Sequence, residues 1–392
     1  MTDVYYVSDG KMFAVKNGSA QLLRSEAVEK YIQNLKDIEQ RQEWKSSGAG
    51  ARFMGSGRVG FIEQGGASEN AYTRVEALAA VSPEKLLYAA SLDSSSGLYT
   101  KNPAREDAAE GFIIRQANSR IYHMDYEPDE ERVVASVSDG PIERHIAVIK
   151  EEHSSFSVIT EGETMEITPS FSRKTPHVIY YSSVGYYVDQ RNGRTHYGSY
   201  CVNRLDLANS ELTEVIADDK YDFIRPKEAA DGRLYCVRRL KEKPKGSNPL
   251  LDIALIPFRF LRAIFGWMNF FTQRYTGGSL MKGQSGGANP ARYQEKSEEE
   301  LFIEGNLINV EKALKENAQQ GDKHPGIIPR SWELGIVQKN GGFSALKKGV
   351  LDYAFDGEDL IYSNGKYLIR MRAGGEEEVL CEAKSATSIT VI

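Results

Sequence analysis

The sequence predicts an all-β fold, a six-bladed β-propeller closed by pairing of its C-terminal strand with its N-terminal blade and carrying helical insertions. Three observations predict this fold. Asx-Gly pairs punctuate the chain, one strand–turn–strand unit recurs along it, and each chain end holds an incomplete part of a further unit. The length of 392 residues fits a single large β-propeller domain spanning 1–392.

Asx-Gly pairs separate short runs that are rich in Tyr, Val, Ile and Leu. Asn-Gly and Asp-Gly tolerate the positive φ angles that two-residue hairpin turns require, so their spacing predicts a succession of antiparallel hairpins. The eight pairs begin at Asp9, Asn17, Asp139, Asn192, Asp231, Asn340, Asp356 and Asn364.

The recurring unit consists of a short strand, a polar turn with Pro, Asp or Gly, a strongly apolar strand, and one or two further strands. Five copies are legible: VEALAAVSPEKLLYAASLD from Val75, IYHMDYEPDEERVVASVSD from Ile121, MEITPSFSRKTPHVIYYSS from Met165, YDFIRPKEAADGRLYCVRRL from Tyr221 and VLDYAFDGEDLIYSNG from Val350. The first three copies start 46 and 44 residues apart. Propeller blades have similar periods, so each copy is predicted to form one blade.

The sixth copy is divided between the two ends of the chain. The last residues, SATSITVI, form one strand without a following partner, and VYYVSDGKMFAVKNGSAQLLRS near the start contains three strands that lack a first one. Pairing them completes a blade and removes an exposed sheet edge. The count is six blades, or seven if the Gly-rich hairpin near Arg58 to Gln64 forms a blade of its own.

Three of these copies carry a resemblance to a known family. The pattern around VSPEKLLYAA, YEPDEERVVAS and TPSFSRKTPHVIYYSS resembles the WD40-like repeat of TolB-type six-bladed β-propellers, in which Ser-Pro-Asp-Gly precedes an apolar strand. No copy in this chain carries an intact Ser-Pro-Asp-Gly. The resemblance therefore implies a propeller scaffold and implies no shared partner, because propellers host many unrelated functions.

Two segments depart from the repeat, and the first is a helical insertion at 25–45. Ser25 is placed to cap this helix and Glu26 and Glu29 suit its first turn, while Val28, Tyr31, Ile32, Leu35 and Ile38 share one face. The helix is expected to pack on the side of the ring or across one end.

The second departure is an insertion at 243–298, which combines an apolar, amphipathic helix with a flexible Gly-rich segment. From Pro249 to Thr272, 16 of 24 residues are hydrophobic. Pro257 interrupts the run, and Arg259 and Arg262 would each cost about 2.5–3.5 kcal/mol at the centre of a bilayer, which argues against a membrane span. The following TGGSLMKGQSGGANPARY is expected to act as a slack tether.

The helix predicted over 249–273 has a narrow polar stripe, a broad aromatic surface and basic flanks. These properties suit a helix that lies in the headgroup region of an anionic membrane. Two alternatives remain open, namely packing against the propeller and contact between two copies of the chain. The candidate membrane or partner contacts are Phe258, Arg259, Arg262, Phe265, Trp267, Phe270 and Phe271.

Composition excludes some classes of function. The chain has 49 basic and 55 acidic side chains and a net charge of -6, which provides no field for nucleic acid, so no nucleic-acid partner is expected. Three cysteines without a CxxC pair are expected to be free thiols. With no export signal visible, the expected location is the cytoplasm, with peripheral attachment at the inner membrane face through the 249–273 helix.

Motifs for chemistry are weak. The segment from Gly55 to Gly60 matches G-x-G-x-x-G, but FIEQGGASEN follows it, which is typical of strand and turn and not of the helix that a dinucleotide site needs. The six histidines lack metal-ligand spacing. The sequence therefore predicts no catalytic residue, no cofactor and no metal ligand set.

One constellation of carboxylates remains as a candidate ligand site. Glu76, Glu166, Asp222 and Asp352 each lie near the start of a predicted innermost strand, where they would face the mouth of the central channel and hold a cation or a cationic ligand. The favoured function is a non-catalytic binding scaffold with an unknown protein partner. The alternatives are a metal-dependent propeller hydrolase or lyase acting on a small sugar or lactone, and a self-associating structural protein.

Overall fold

Antiparallel strands make up most of the computed structural model, which describes residues 3–47, 73–241 and 300–392 except 94, 106, 139–141, 151–155, 190–193 and 304–305. In these residues the strands are β1 (Val4–Ser8), β2 (Lys11–Lys16), β3 (Ser19–Leu23), β4 (Thr73–Ser82), β5 (Lys85–Leu92), β6 (Ser95–Lys101), β7 (Gly111–Ala117), β8 (Arg120–Glu127), β9 (Arg132–Ser138), β10 (His145–Lys150), β11 (Ser157–Val158), β12 (Thr164–Phe171), β13 (Val178–Asp189), β14 (Arg194–Tyr197), β15 (Cys201–Asp206), β16 (Glu211–Ile216), β17 (Tyr221–Glu228), β18 (Leu234–Leu240), β19 (Glu300–Ile303), β20 (Asn306–Asn309), β21 (Trp332–Val337), β22 (Phe343–Lys348), β23 (Asp352–Asp356), β24 (Asp359–Ser363), β25 (Tyr367–Met371), β26 (Glu377–Glu382) and β27 (Thr387–Val391). The helices are α1 (Glu26–Ser47) and α2 (Val310–Gln319).

Six sheets form the blades of a propeller, as the sequence predicted. Their strand orders are β27-β1-β2-β3, β4-β5-β6-β7, β8-β9-β10-β11, β12-β13-β15-β16, β17-β18-β21-β22 and β23-β24-β25-β26, and β14 pairs with β13 beside the fourth of these sheets. The first strand named in each order is the innermost. The separate hairpin β19-β20 and helix α2 lie in the connection between β18 and β21.

The ring closes between the two ends of the propeller chain, and this prediction is confirmed. Strand β27 pairs antiparallel with β1 in the register Val4 to Val391, Tyr5 to Thr390 and Val7 to Thr387. The amide of Ile392 donates to the carbonyl oxygen of Asp3 at 3.0 Å. Because β27 pairs with β1, the inner edge of β1 is covered and presents no unpaired backbone groups.

Asx-Gly turns set the hairpins of the first blade. Asp9 and Gly10 have φ angles of 48° and 71°, and Asn17 and Gly18 have 52° and 73°. Two consecutive left-handed residues make the turn whose twist matches that of antiparallel strands. The pairing of β1 with β2, and of β2 with β3, follows from these turns.

The hydrophobic core lies between consecutive blades. In one cluster, Ala77 and Leu87 of the second blade pack with Ile121, Val133 and Ala135 of the third. These side chains are at least nine-tenths buried, and full burial of a Leu, Ile or Val contributes about 1.5–3 kcal/mol. Because each blade is apolar on both faces, it is stable only between two neighbours, and the ring provides both.

Helix α1 begins directly after β3 at an anchored turn. The hydroxyl of Ser25 accepts the amide of Val28 at 3.2 Å, and Glu110 accepts the amide of Ala27 at 3.2 Å. Glu110 also pairs with the buried Lys101 at 3.2 Å. The described residues divide into two compact units, of which the propeller with this first turn is one, and α1 from Lys30 onward belongs to the other.

Helix α2 was not predicted from the sequence. Asn309 caps it by accepting the amide of Lys312 at 2.8 Å, and the buried Asn317 donates to the carbonyl oxygens of Gly326 and Ile328 at 2.7 and 3.0 Å. These bonds hold the loop that leads to β21. In the part of the chain that the structure describes, no helix combines the length and the hydropathy needed to cross a membrane.

Candidate functional site

A cavity of about 310 Å³ lies at the centre of the propeller, and the innermost strands of all six blades line it. Its wall takes one side chain or more from each of these strands, among them Leu78 of β4, His123 of β8, Ser170 of β12, Lys227 of β17, Asp352 of β23 and Thr390 of β27. Ligand pockets in proteins begin at about this volume. The cavity is therefore the candidate functional site.

Three residues of the wall have a backbone conformation that is rare outside glycine. The φ angles of Thr168, Arg225 and Ser388 are 51°, 58° and 52°. Thr168 and Arg225 occupy bulges, because the register of β12 with β13 shifts between Ile167 and Ser170, and that of β17 with β18 between Ile224 and Lys227. Left-handed residues other than glycine cost on the order of 1–3 kcal/mol and cluster at functional sites.

Hydroxyl groups of the wall form hydrogen bonds between the innermost strands of neighbouring blades. These strands belong to different sheets, so they are not paired through their backbones. The hydroxyl of Ser388 accepts the amide of Leu78 at 2.8 Å, and that of Thr390 accepts the amide of Ala80 at 3.0 Å. The Thr168 hydroxyl accepts the amide of Arg225 at 3.1 Å. These bonds satisfy backbone amides of the innermost strands and join neighbouring blades at the cavity wall.

Asp352 is the centre of a buried charge cluster in the wall. Its carboxylate lies 3.0 Å from Arg225 Nη1 and 3.6 Å from Lys227 Nζ, and it accepts the amides of Tyr353 and Ile389 at 2.8 and 3.3 Å. Burial raises the pKa of Asp352, but these two cations and two amides outweigh burial and hold the pKa below its ordinary value. Asp352 is therefore an ionised structural carboxylate, and it is too weak a base for proton abstraction.

Two cations surround this one carboxylate, and the cavity wall as a whole is balanced, with three cationic and three anionic side chains: Arg173, Arg225 and Lys227, and Asp125, Glu228 and Asp352. Arg225 is buried, while 29% of the Lys227 side chain is exposed. Burial lowers the pKa of Lys227, and the attraction of Asp352 offsets only part of that effect. Lys227 also donates to the carbonyl oxygen of Tyr353. Lys227 thus lies in the cavity wall with its ammonium group held by Asp352 and by the Tyr353 carbonyl oxygen.

His123 is a buried histidine that lies near the same cations. It lines the cavity, and its pKa lies well below the ordinary value because burial, Arg225 and Arg144 all disfavour the imidazolium. Among the described residues, its Nδ1 has no hydrogen-bond partner. The ring is therefore neutral at neutral pH.

A second group of charged residues, Asp125, Arg173 and Glu228, also lines the cavity. Arg173 places Nη2 at 2.7 and 3.0 Å from the two carboxylate oxygens of Asp125, and Asp125 accepts the amide of Phe171 at 2.8 Å. Glu228 accepts the hydroxyl of Ser172 and the amide of Lys174. The hydrogen bonds of Asp125 and Glu228 hold the loop that follows β12.

Of the four carboxylates that the sequence singled out, Asp352 alone belongs to the cavity wall. Glu166 accepts the amide of Ile146 at 3.2 Å, and Asp222 accepts the amide of Tyr200 at 3.0 Å and pairs with Arg239 at 3.0 Å. Glu76 pairs with Arg74 at 2.9 Å and accepts the hydroxyl of Ser91 at 2.8 Å.

Glu166 and Asp222 share one structural role. Each lies on the innermost strand of its blade and accepts an amide of the preceding blade, and burial raises the pKa of Glu166. The described residues contain no group of three His, Cys, Asp or Glu side chains placed to hold a metal ion. Cys201, Cys236 and Cys381 are free thiols.

Sequence reasoning did not single out Arg225, Lys227, His123, Thr168 or Ser388. A signal for two of them was present, since Thr168 and Arg225 each precede a proline, at the fourth residue of the copy from Met165 and the fifth residue of the copy from Tyr221. The candidate contact residues from Phe258 to Phe271 lie outside the described residues, as do Gly55 to Gly60 and the hairpin near Arg58 to Gln64.

Comparison with known proteins gives similarity at the level of fold. No family model matches the sequence, and no curated protein matches it. Among solved structures, TolB from Acinetobacter baumannii is similar with a TM-score of 0.49 and 10% identity, over 100% of this chain and 66% of that one. A protein described as a TolB from Agrobacterium tumefaciens has a TM-score of 0.43 and 10% identity, over 81% and 83% of the two chains.

Proteins named as enzymes are also among the similar structures. A puromycin hydrolase has a TM-score of 0.33 and 12% identity, over 44% of this chain and 26% of its own. Identities this low establish no activity. The six sheets of the ring agree with the six-bladed propeller that the repeat predicted.

Proposed function

We propose that this chain is a non-catalytic binding protein, in which the propeller is a rigid scaffold and the central cavity receives part of a partner. The observation that carries the proposal is the convergence of all six innermost strands, three of them with left-handed non-glycine residues, on one cavity. Strain held at a cavity wall indicates a geometry that is maintained for binding.

The state of the cavity charges supports binding over catalysis. Asp352 is held ionised by Arg225 and Lys227, and Asp125 and Glu228 are occupied by hydrogen bonds from the rim. A general base needs a pKa near the working pH, which Asp352 does not have. Side chains with fixed charge and fixed position are suited to recognising a partner by complementarity.

We further propose that the segment 249–273 attaches the protein to an anionic membrane surface on the cytoplasmic side. The support is in the sequence, namely an aromatic surface with Trp267, a narrow polar stripe with Arg259 and Arg262, and basic residues before and after it. Apolar area and cationic flanks together give affinity for anionic headgroups.

Site-specific photo-crosslinking in cells tests the binding proposal. A photoreactive residue at Ala230, which is exposed and lines the cavity, is compared with one at Leu212, which is 60% exposed on the outer strand β16. Crosslinked adducts from Ala230 and not from Leu212 are expected. Adducts from neither position, or equal adducts from both, would contradict a partner at the cavity.

Vesicle flotation tests the membrane proposal. The full chain is compared with a variant lacking 243–298 and with the double variant Phe265→Ser and Phe270→Ser, on vesicles of phosphatidylglycerol with phosphatidylcholine and on phosphatidylcholine alone. Only the full chain is expected to float, and only with the anionic vesicles. Equal flotation of all forms removes the membrane proposal, and a shift of the deletion variant from dimer to monomer in sedimentation indicates the self-association alternative.

A further inference from the structure

The innermost strands of the ring run side by side in one direction, so the loops that leave them lie at one end of the cavity. Ser388 and Thr390 of β27 accept the amides of Leu78 and Ala80 of β4 in the same order along both strands. Hydroxyl groups of β12 and of the loop after it bond β17 in the same parallel sense. These connections, the mouth loops, are 83–84, 128–131, 172–177, 229–233 and 357–358, together with Asp3 beside the end of β27.

The cavity opens between the mouth loops and presents apolar surface there. Ala230 is exposed and lines the cavity, and Phe355 and Val391 are partly exposed lining residues. Tyr235 and Tyr353 hold the Phe355 ring edge-on, with ring centroids 5.0 and 5.6 Å away. An aromatic ring that is fixed at a pocket entrance is suited to contact an aromatic anchor of a partner.

Exposed carboxylates surround much of this opening, on the first, second, third and sixth blades. Among the described residues, none of them has a cation within ion-pair distance. Lys85, next to one of them, is partly buried and has an interaction of its own. These carboxylates, the acidic arc, are Asp3, Glu84, Asp129, Glu131 and Glu358.

The lysine and arginine residues of the mouth loops lie on the fourth and fifth blades instead. Arg173 pairs with Asp125 at 2.7 Å and Arg233 pairs with Asp231 at 2.5 Å, which leaves Lys174 beside them. Because the cavity wall is balanced in charge, the acidic arc sets the sign of the charge that the opening presents to a partner on the side of the other four blades.

We propose that the mouth of the central cavity binds a segment of a partner protein in which basic residues flank an aromatic side chain. The aromatic side chain enters the cavity against Phe355, and the flanking Lys or Arg residues face the acidic arc. This inference rests on the proposed binding function and specifies the chemistry of the partner. A volume of about 310 Å³ accommodates such an anchor, and complementary charge around it adds specificity and a faster association rate.

The arrangement of the carboxylates favours several cationic side chains over one metal ion. The described residues contain no group of three His, Cys, Asp or Glu side chains placed to hold a metal ion. Carboxylates on separate blades instead match separate lysine or arginine side chains of one peptide segment. Charge complementarity at the opening and apolar contact inside it are therefore both required of the partner.

Isothermal titration calorimetry of the full chain with synthetic peptides tests the proposal. The first peptide, acetyl-Lys-Lys-Trp-Lys-Lys-amide, combines the anchor with basic flanks. In the second peptide Ser replaces Trp, and in the third Glu replaces every Lys. Saturable binding is expected for the first peptide only, and it should weaken as the salt concentration rises because the arc is exposed.

A variant of the acidic arc separates charge recognition from the fold. It carries Glu84→Gln, Asp129→Asn and Glu358→Gln and is expected to bind the first peptide on the order of tenfold more weakly. The matched control changes exposed carboxylates of the same types outside the mouth loops and is expected to bind as the unmodified chain does. It carries Glu161→Gln, Asp219→Asn and Glu382→Gln.

The apolar contact is tested by filling the opening. Ala230→Trp places a large side chain at an exposed position of the cavity lining, so the fold is expected to tolerate it. The variant should lose the preference for the Trp peptide over the Ser peptide.

Several outcomes would overturn the inference. They are binding of none of the peptides, equal binding of the Trp and Ser peptides, binding of the Glu peptide as tightly as the Lys peptide, or an arc variant that binds as the unmodified chain does. A dimer in sedimentation that the arc variant converts to monomer would assign the mouth to a second copy and overturn it too. If crosslinking from Ala230 succeeds while the peptides fail, the proposed function stands and the basic segment does not. If both fail, neither stands.

Discussion

Arg225 Nη1 lies 3.0 Å from Asp352 Oδ2, and this ion pair joins the innermost strands of the fifth and sixth blades. Tyr353 strengthens the same junction, because its hydroxyl donates to the carbonyl oxygen of Arg225 at 2.8 Å. The contact thus has two functions. It holds two blades together, and it sets the charge of the central cavity.

Asp352→Asn is expected to lower the free energy of unfolding by about 3–5 kcal/mol, because it leaves Arg225 buried without its counter-charge. Denaturant unfolding followed by tryptophan fluorescence measures the change. The matched control is Glu376→Gln, which removes an exposed partner of Arg372 and is expected to have no measurable effect. Equal effects of the two substitutions would contradict the role given to Asp352.

Stability is expected to fall as the pH drops below about 6.5, the ordinary pKa of histidine. The pKa of His123 in the folded chain is well below this value, so the unfolded chain binds more protons in the window between the two pKa values. The slope contributed by His123 is at most about 1.4 kcal/mol per pH unit. His123→Gln should flatten the profile of unfolding free energy against pH, and a profile that keeps its slope in this variant would contradict the role given to His123.

The link between β27 and β4 can be tested at one hydroxyl. Thr390→Val keeps the shape of the side chain and removes the acceptor of the Ala80 amide, so a loss of about 1–3 kcal/mol is expected. Thr390→Ser retains the hydroxyl and should therefore keep most of the stability that Thr390→Val loses. Hydrogen exchange of the Ala80 amide is the measurement. Faster exchange in Thr390→Val, and not in Thr390→Ser, would assign the loss of stability to this hydrogen bond.

The start of α1 depends on Ser25. Ser25→Ala removes the acceptor of the Val28 amide and should cost about 1 kcal/mol, while Ser25→Thr should be close to neutral. Faster hydrogen exchange at Val28 in the alanine variant is the expected signature. Unchanged exchange there would mean that the acceptance of the Ala27 amide by Glu110 alone holds this turn.

The sequence predicted the ring because its signals are local and repeated. Asp9-Gly10 and Asn17-Gly18 encode tight turns directly, and the first three copies of the apolar strand recur at intervals of 46 and 44 residues. The position of Asp352 on an innermost strand was predicted for the same reason. The partners of Asp352 were not, since Arg225 lies 127 positions before it and faces it only because the ring brings two blades together.

The backbone conformation of the cavity wall could not be predicted from the sequence pattern either. Apart from the proline that follows each of them, Thr168 and Arg225 resemble ordinary strand residues. Their left-handed backbone results from bulges whose location depends on pairing with β13 and β18. Helix α2 was missed because ten residues are too few for a clear helical period beside the apolar 249–273 segment. Register and interblade contact are properties of the assembled ring, and no single stretch of sequence contains them.

Joining β27 to β1 has a consequence for how the protein is made. The first blade stays without its innermost strand until the ribosome has added Val391, so the nascent chain holds a partly assembled ring for most of its synthesis. Contacts between residues so distant in sequence form slowly. We expect nascent chains stalled before Thr387 to be digested by protease far more readily than released ones.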